Sequence, residues 1–510
     1  MSDLSARVRA VCDLNVGLAR EESGRHEYDG VAQDLSPAGV AAGLAAVSAA
    51  REAGPELEDP HDETHLRAFE DLQQVAYGEL ELHRRSPMHL LDSLDLSCYD
   101  KEYAPAAERE DARNRHLAAW PEAIGRALTS LDQVSAPVAE SLLSAARGLA
   151  AGIPAGAPAE AREAALAAHE KLVAHLGRAA ESGPPDAALG AGALAKLLGT
   201  GEALAVDLED LARRADAERD RLMERLAAST AKIDPSKAPL DLARELVKDH
   251  PGAGDVLEVA RRGVEEALAF TREKDLVPYH DGTCLVRQTP ESLRFAVAMI
   301  SINAPAEPDA PSQYFITPPE ESWSEAEAEE WLEMFSATTL PAINVHEVAP
   351  GHFSHFQAVR RAKGDVRRTL FSNVFIEGWA HYAEELCVEE GFAGGDPRFE
   401  IGVWLEALVR VTRLASAIGV HTGGWTVEDA ARRFEADTHL AGPAALSEAR
   451  RATFDPTYGR YTWGKLEIQR TREEARATWG SSFTLKRFHT ALMDLGSPPL
   501  GLLSTAIIRG

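Results

Sequence analysis

The chain has little cysteine, a shortage of positive charge and no long apolar run. Four cysteines, Cys12, Cys98, Cys284 and Cys387, are scattered over 510 residues. No CxxC pair occurs, which argues against a thiolate zinc site. A chain of this length has no need of a disulfide scaffold. Lys and Arg number 53 against 81 Asp and Glu, a formal net charge of -28. Nucleic acids and anionic membranes are bound through an excess of Lys and Arg, so neither is expected as a partner. The acidity itself reads as solubility rather than as a device for attracting cationic substrates. No stretch approaches the length of apolar chain that spans a bilayer. The first twenty residues, "MSDLSARVRAVCDLNVGLAR", have no apolar signal core. A cytoplasmic protein with neither nucleic-acid nor membrane partners is the expectation. The sequence leaves the oligomeric state open.

Extended alternating stretches are also scarce. What fills the chain is helix. Ala, Leu, Glu and Arg dominate, and apolar residues recur at three- and four-residue spacing, as in "LRAFEDLQQVAYGELEL" (66–82). The Gly/Pro-rich stretches at 148–168 and 181–201 read as turns between helices. "SQYFIT" (312–317) is the best strand candidate, either a plain structural strand or an edge that holds an extended peptide. "DHPGAGD" and "LVPYHDGT" interrupt the helices between 249 and 283. They divide an N-terminal helical region, 1–270, from a second region, 271–510, unless the two form one continuous domain. The expected class is mainly α, with a small β element.

Chemistry concentrates in "INVHEVAPGHFSHFQAV" (343–359). Zinc peptidases carry two histidines four apart on a helix, with a Glu beside the first. Here the next histidine after His346-Glu347 is His352, six residues on. On an ideal helix those two side chains point about 120° apart and share no metal. Pro350 and Gly351 change this, because Pro breaks the helix and Gly tolerates unusual backbone. The break can return His352 to the face of His346. Alternatively a helix ends at Ala349, and His352 and His355 begin another and bind nothing. A second segment, "NVFIEGWAHYAEELCVEE" (373–390), sets Glu377, His381 and Glu384 on one helical stripe. A Glu from a second helix completes the His2Glu zinc sets that keep one position open for water.

These two segments, with "RLASAIGVHTGGWTVEDA" (413–430), "YTWGKLEIQRTREEA" (461–475) and "FHTALMDLGSPPL" (488–500), resemble the DUF885 family of bacterial proteins. That family is in turn similar to helical gluzincin-type zinc metallopeptidases, which implies a large helical zincin-like fold with the small β element near the active-site cleft and makes 271–510 the catalytic region. The resemblance implies Zn2+ held by His346, His352 and Glu377, with Glu347 as general base. It implies Tyr461 as donor to the developing oxyanion, His489 as a second candidate for that task, and His421 as the histidine of a G-x-H element. Two departures stand out. Phe353 occupies a position where the family often has histidine, and Ala417 one where it often has Asp. The expected activity is a zinc-dependent hydrolase or amidase acting on a small peptide-like substrate. The alternatives are a non-catalytic, metal-containing binding protein of the same fold, or a di-iron carboxylate bundle. Lys465 and Arg472, seven apart on one helix face, either meet a substrate carboxylate or pair with surface acids.

Overall fold

Helix-forming composition dictates most of the architecture. An apolar residue every three or four positions makes one face of a helix sticky, and burying that face stabilises the helix more than propensity does. The helix Ala159–Ser182 forms this way, burying Ala165, Ala168, Leu172 and Leu176. The computed structural model describes residues 4–290, 294, 297–320 and 322–510. Among the described residues the chain is mainly α, with one three-stranded sheet. No described helix is long and apolar enough to cross a membrane.

The elements around the site follow in chain order. Helix α1 is Leu208–Ala231. Strands β1 (Cys284–Gln288), β2 (Ala298–Ser301) and β3 (Ser312–Ile316) pair in the order β1-β3-β2. β1 runs parallel to β3, and β2 antiparallel to it. "SQYFIT" therefore supplies the middle strand, not an edge. Its Ser312, Tyr314 and Ile316 alternate into the interior, which suits a central place. The edge beside the site is β2. Helices α2 (Leu340–Glu347), α3 (His352–Val359), α4 (Asn373–Glu389), α5 (Pro397–His421), α6 (Arg460–Trp479) and α7 (Leu485–Met493) complete the surroundings.

Helices α4 and α6 cross at two glycines. A Cβ on Gly378 would lie 2.5 Å from the Cα of Gly464, and one on Gly464 would lie 2.1 Å from the Val374 carbonyl. Backbone cannot give way there, so both positions require glycine. Beside this crossing the fully buried Lys465 of α6 donates to Glu218 of α1 (2.5 Å) and Glu385 of α4 (3.3 Å). Arg221 of α1 spans the same two carboxylates at 2.6–2.8 Å. Lys465 thus closes an ion network among three helices and does not reach out to a substrate. Arg472 is similarly committed, donating to Glu389 (2.7 and 3.1 Å) and to the Tyr382 hydroxyl (3.2 Å). The largest hydrophobic core extends from Leu194 to Ala506 and draws on both sides of residue 270.

A buried carboxylate ties the N-terminal region to α4. Glu202 accepts from the Ser372 hydroxyl (2.8 and 2.9 Å) and from the Leu500 amide (2.8 Å). Ser372 in turn caps α4 by accepting from the Phe375 amide. None of these partners is a cation, and burial pushes the Glu202 carboxyl up to about 7 from 4.5. The folded state therefore holds a proton that the unfolded chain has released. Stability contributed by this group falls as pH rises from about 4.5 to about 7, a loss of about 3 kcal/mol. Glu202→Gln keeps an acceptor without the charge. Thermal melts should show the variant a few degrees better, relative to wild type, at pH 8 than at pH 5. An unchanged difference at the two pH values would refute the assignment.

Candidate metal centre

The first piece of the site is the interruption after Glu347. Helix α2 stops there and α3 starts at His352. The Ala349–Pro350 peptide bond between them is cis. Backbone groups that the break would orphan find partners. The Gly351 amide donates to Val345 O (3.1 Å) and the Ser354 amide to Val348 O (3.2 Å). The Trp379 indole of α4 donates to Pro350 O (2.9 Å). From the sheet, the Tyr314 hydroxyl donates to Asn344 and fixes α2 from behind. The break is thus a built and satisfied piece of backbone.

It brings the two histidines together. Their ring centroids lie 4.7 Å apart. His346 Nε2 is 3.5 Å, and His352 Nε2 3.4 Å, from the same Oε2 of Glu377. One ligand atom from each residue lies within 4.8 Å of the others. Such separations are long for hydrogen bonds. They match the edge of a zinc tetrahedron, since ligands about 2.0–2.1 Å from a common ion stand about 3.3 Å apart. The chemistry of the set agrees: two imidazoles and one carboxylate, with Glu377 Oε2 buried and lacking a hydrogen bond among the described residues. The histidine side chains are only 6% and 9% exposed, against 22% for Glu377, so the set opens to solvent on the glutamate's side. Burial and Arg410 push the His346 imidazolium down, but the negative charges of Glu377 and Glu384 beside it outweigh them and hold it up at about 9. Burial favours the neutral Glu377 carboxyl, yet the two histidines keep it well below the usual range. A divalent cation would replace those protons.

Glu347 follows His346 directly and turns toward the sheet. Its Oε2 accepts from the Ile300 amide of the edge strand β2 (3.1 Å), and burial pushes its carboxyl up. The Tyr461 ring lies 6.3 Å from that of His346. The guanidinium groups of Arg410, Arg413 and Arg460 stand 5.6, 5.4 and 5.7 Å from its centre. Burial pushes the Tyr461 phenol up, so it keeps its proton to donate.

His489 is not brought to this group. It packs against Trp379 and Tyr382, on a face of α4 about 140–200° around the helix from Glu377. Both of its nitrogens are occupied, Nδ1 by Leu276 O (2.6 Å) and Nε2 by the Tyr382 hydroxyl (3.0 Å). His421 closes α5, eleven residues beyond Arg410 and about 16 Å further along the axis. Ala417 packs in a small apolar cluster with Val409, Val420 and Phe434. Phe353 enters the core beneath the sheet with Tyr314 and Val348, a place unsuited to a ligand histidine.

Two features of the site were not expected from the sequence. His346 Nδ1 lies 2.6 Å from Glu384 Oε1, and Arg410 of α5 grips both Glu384 oxygens at 2.6 and 2.7 Å. An arginine inside the apolar run "LEALVRVTRLASAIG" (405–419) was the available signal, since a charge in a buried stripe needs a partner. The second is Glu22: burial and Glu21 push its carboxyl up to about 7, and it lies within electrostatic reach of Glu377.

A solved structure from Shewanella oneidensis, described as a "putative lipoprotein of unknown function", matches with a TM-score of 0.79 at 20% identity, over 100% of both chains. A "putative lipoprotein from Colwellia psychrerythraea" matches with a TM-score of 0.79 at 15% identity, over 99% of this chain and 98% of that one. At these identities the likeness is one of fold. No curated protein matches the chain. The family model described as "Bacterial protein of unknown function (DUF885)" matches residues 17–507, so the chain, with its paired histidines and its glutamate, belongs to the DUF885 family.

Proposed function

We propose that this protein is a zinc-dependent hydrolase that cleaves an amide or peptide bond in a small peptide-like substrate. The observation that carries the reading is the convergence of His346 and His352 on one oxygen of Glu377 at the spacing of a zinc tetrahedron, with Glu347 adjoining. His346, His352 and Glu377 would hold the ion, which supplies Lewis-acid polarisation and an acidified water. Glu347 takes the proton of the attacking water and delivers it to the leaving nitrogen. Tyr461 donates to the oxyanion that develops on the carbonyl. The outer edge of β2, beside Glu347, offers main-chain groups to an extended substrate. The largely buried ligand set favours a short chain end over a folded protein.

Metal removal tests the reading. Wild type should carry about one zinc per chain by elemental analysis. Turnover on a panel of short peptides and N-acyl amino acids should vanish after chelation and return with stoichiometric zinc. Zinc-loaded protein that hydrolyses no amide would favour a metal-containing binding protein instead.

A further inference from the structure

We propose that Arg410 is a positioning residue for the metal centre: it fixes Glu384, Glu384 fixes His346, and one of the three ligands is thereby held in place before any metal arrives. The inference rests on the metal reading above and extends it to residues outside the ligand set. A carboxylate only accepts hydrogen bonds, so His346 Nδ1 must be the donor in its 2.6 Å contact with Glu384. That fixes Nδ1 as the nitrogen that keeps its proton and leaves Nε2, facing Glu377 Oε2, as the atom to bind a metal. Glu384 is itself held. It is fully buried, and Arg410 Nη1 donates to both of its oxygens. His381 Nδ1 closes a third side at 3.2 Å from Oε2.

The geometry makes this bracket rigid. Glu377 and Glu384 are seven residues apart on α4, two helical turns on one face. One helix therefore presents both a ligand and the brace for another ligand. Arg410 comes from α5 and His346 from α2, so the bracket spans three helices. The Arg410 side chain is only 7% exposed and its guanidinium also lies over Tyr461, which leaves it little freedom to drift. His352 has no such support, because its Nδ1 lacks a hydrogen-bond partner among the described residues. The two histidines are thus unequal: His346 is braced through side chains, and His352 is placed by the chain break.

Zinc affinity, measured by competition with a chromophoric chelator, tests this without any substrate. Glu384→Gln and Arg410→Met should each weaken zinc binding about 10- to 100-fold, the usual effect of losing a group that orients a ligand. The double variant should bind no worse than the weaker single one, because both act on one path. The visible spectrum of the cobalt-loaded protein should change in the same variants. Arg413→Gln serves as control; this guanidinium also adjoins Tyr461 but bonds Glu448, and zinc affinity should hold. If Arg410→Met fails to fold, Arg410→Lys retains the charge on a shorter side chain that does not reach Glu384 in the same way, and a several-fold loss is expected. Wild-type affinity and cobalt spectrum in folded Glu384→Gln and folded Arg410 variants overturn the inference alone. A wild type that binds no zinc overturns it together with the metal reading.

Discussion

Glu347→Gln should abolish most turnover while the protein stays folded and keeps its zinc. Glu347 is not among the three converging donors, so metal content should match wild type. Its Oε2 accepts from the Ile300 amide, a bond that the amide oxygen of Gln reproduces. What Gln cannot do is accept a proton from water. General acid–base assistance is worth about a hundred- to ten-thousand-fold, and a loss of that size in kcat is expected. Steady-state rates on the best amide of the panel, with zinc measured in the same samples, give the answer. Rates near wild type in zinc-loaded Glu347→Gln would remove Glu347 from the mechanism.

The second large effect is expected at Gly351. A Cβ there would sit 1.9 Å from His346 O and 2.4 Å from Val345 O. These are backbone atoms of the helix that carries the first ligand, so the intruding methyl displaces chain rather than a side chain. His352 follows directly and must move with it. Gly351→Ala should lower zinc affinity by at least about tenfold, on the scale of ligand misplacement, and lower the melting temperature as well. Gly125→Ala is the matched control, with nothing within 4 Å of the added carbon. Equal zinc affinity in both variants would refute the view that glycine is required to pass the chain between the two histidines.

How far the sequence disclosed this centre depends on distance along the chain. The interrupted His-Glu helix was legible because Pro350 and Gly351 act on their own neighbours. The stripe through Glu377 and Glu384 was legible because a helix has a fixed period. The strand at 312–316 was legible as a strand, but not its place in the sheet. Its partners β1 and β2 are short, and the pairing of Cys284 with Ser312 depends on contacts far apart in sequence. The partner of Arg410 was invisible for the same reason: nothing local tells an arginine in α5 which acid on α4 it will grip. His489 stands apart from the converging residues although its segment resembles a family motif. A motif records that a residue matters without saying whether it matters for packing or for chemistry.

The three-helix ion network around Lys465 bears on how the protein can be divided. A truncated chain starting at residue 271 would contain every candidate ligand, the brace and Tyr461. It would also lose Glu218 and Arg221 and strip α1 from the back of α4 and α6. Lys465 would keep Glu385 as its remaining carboxylate partner at a newly wetted surface. Breaking a buried ion pair from one side costs about 3–5 kcal/mol, a large share of the stability of a typical domain. Truncation is therefore a poor route to a minimal catalyst. The shorter protein would carry the whole inventory of chemical groups and lack the walls that hold them in register.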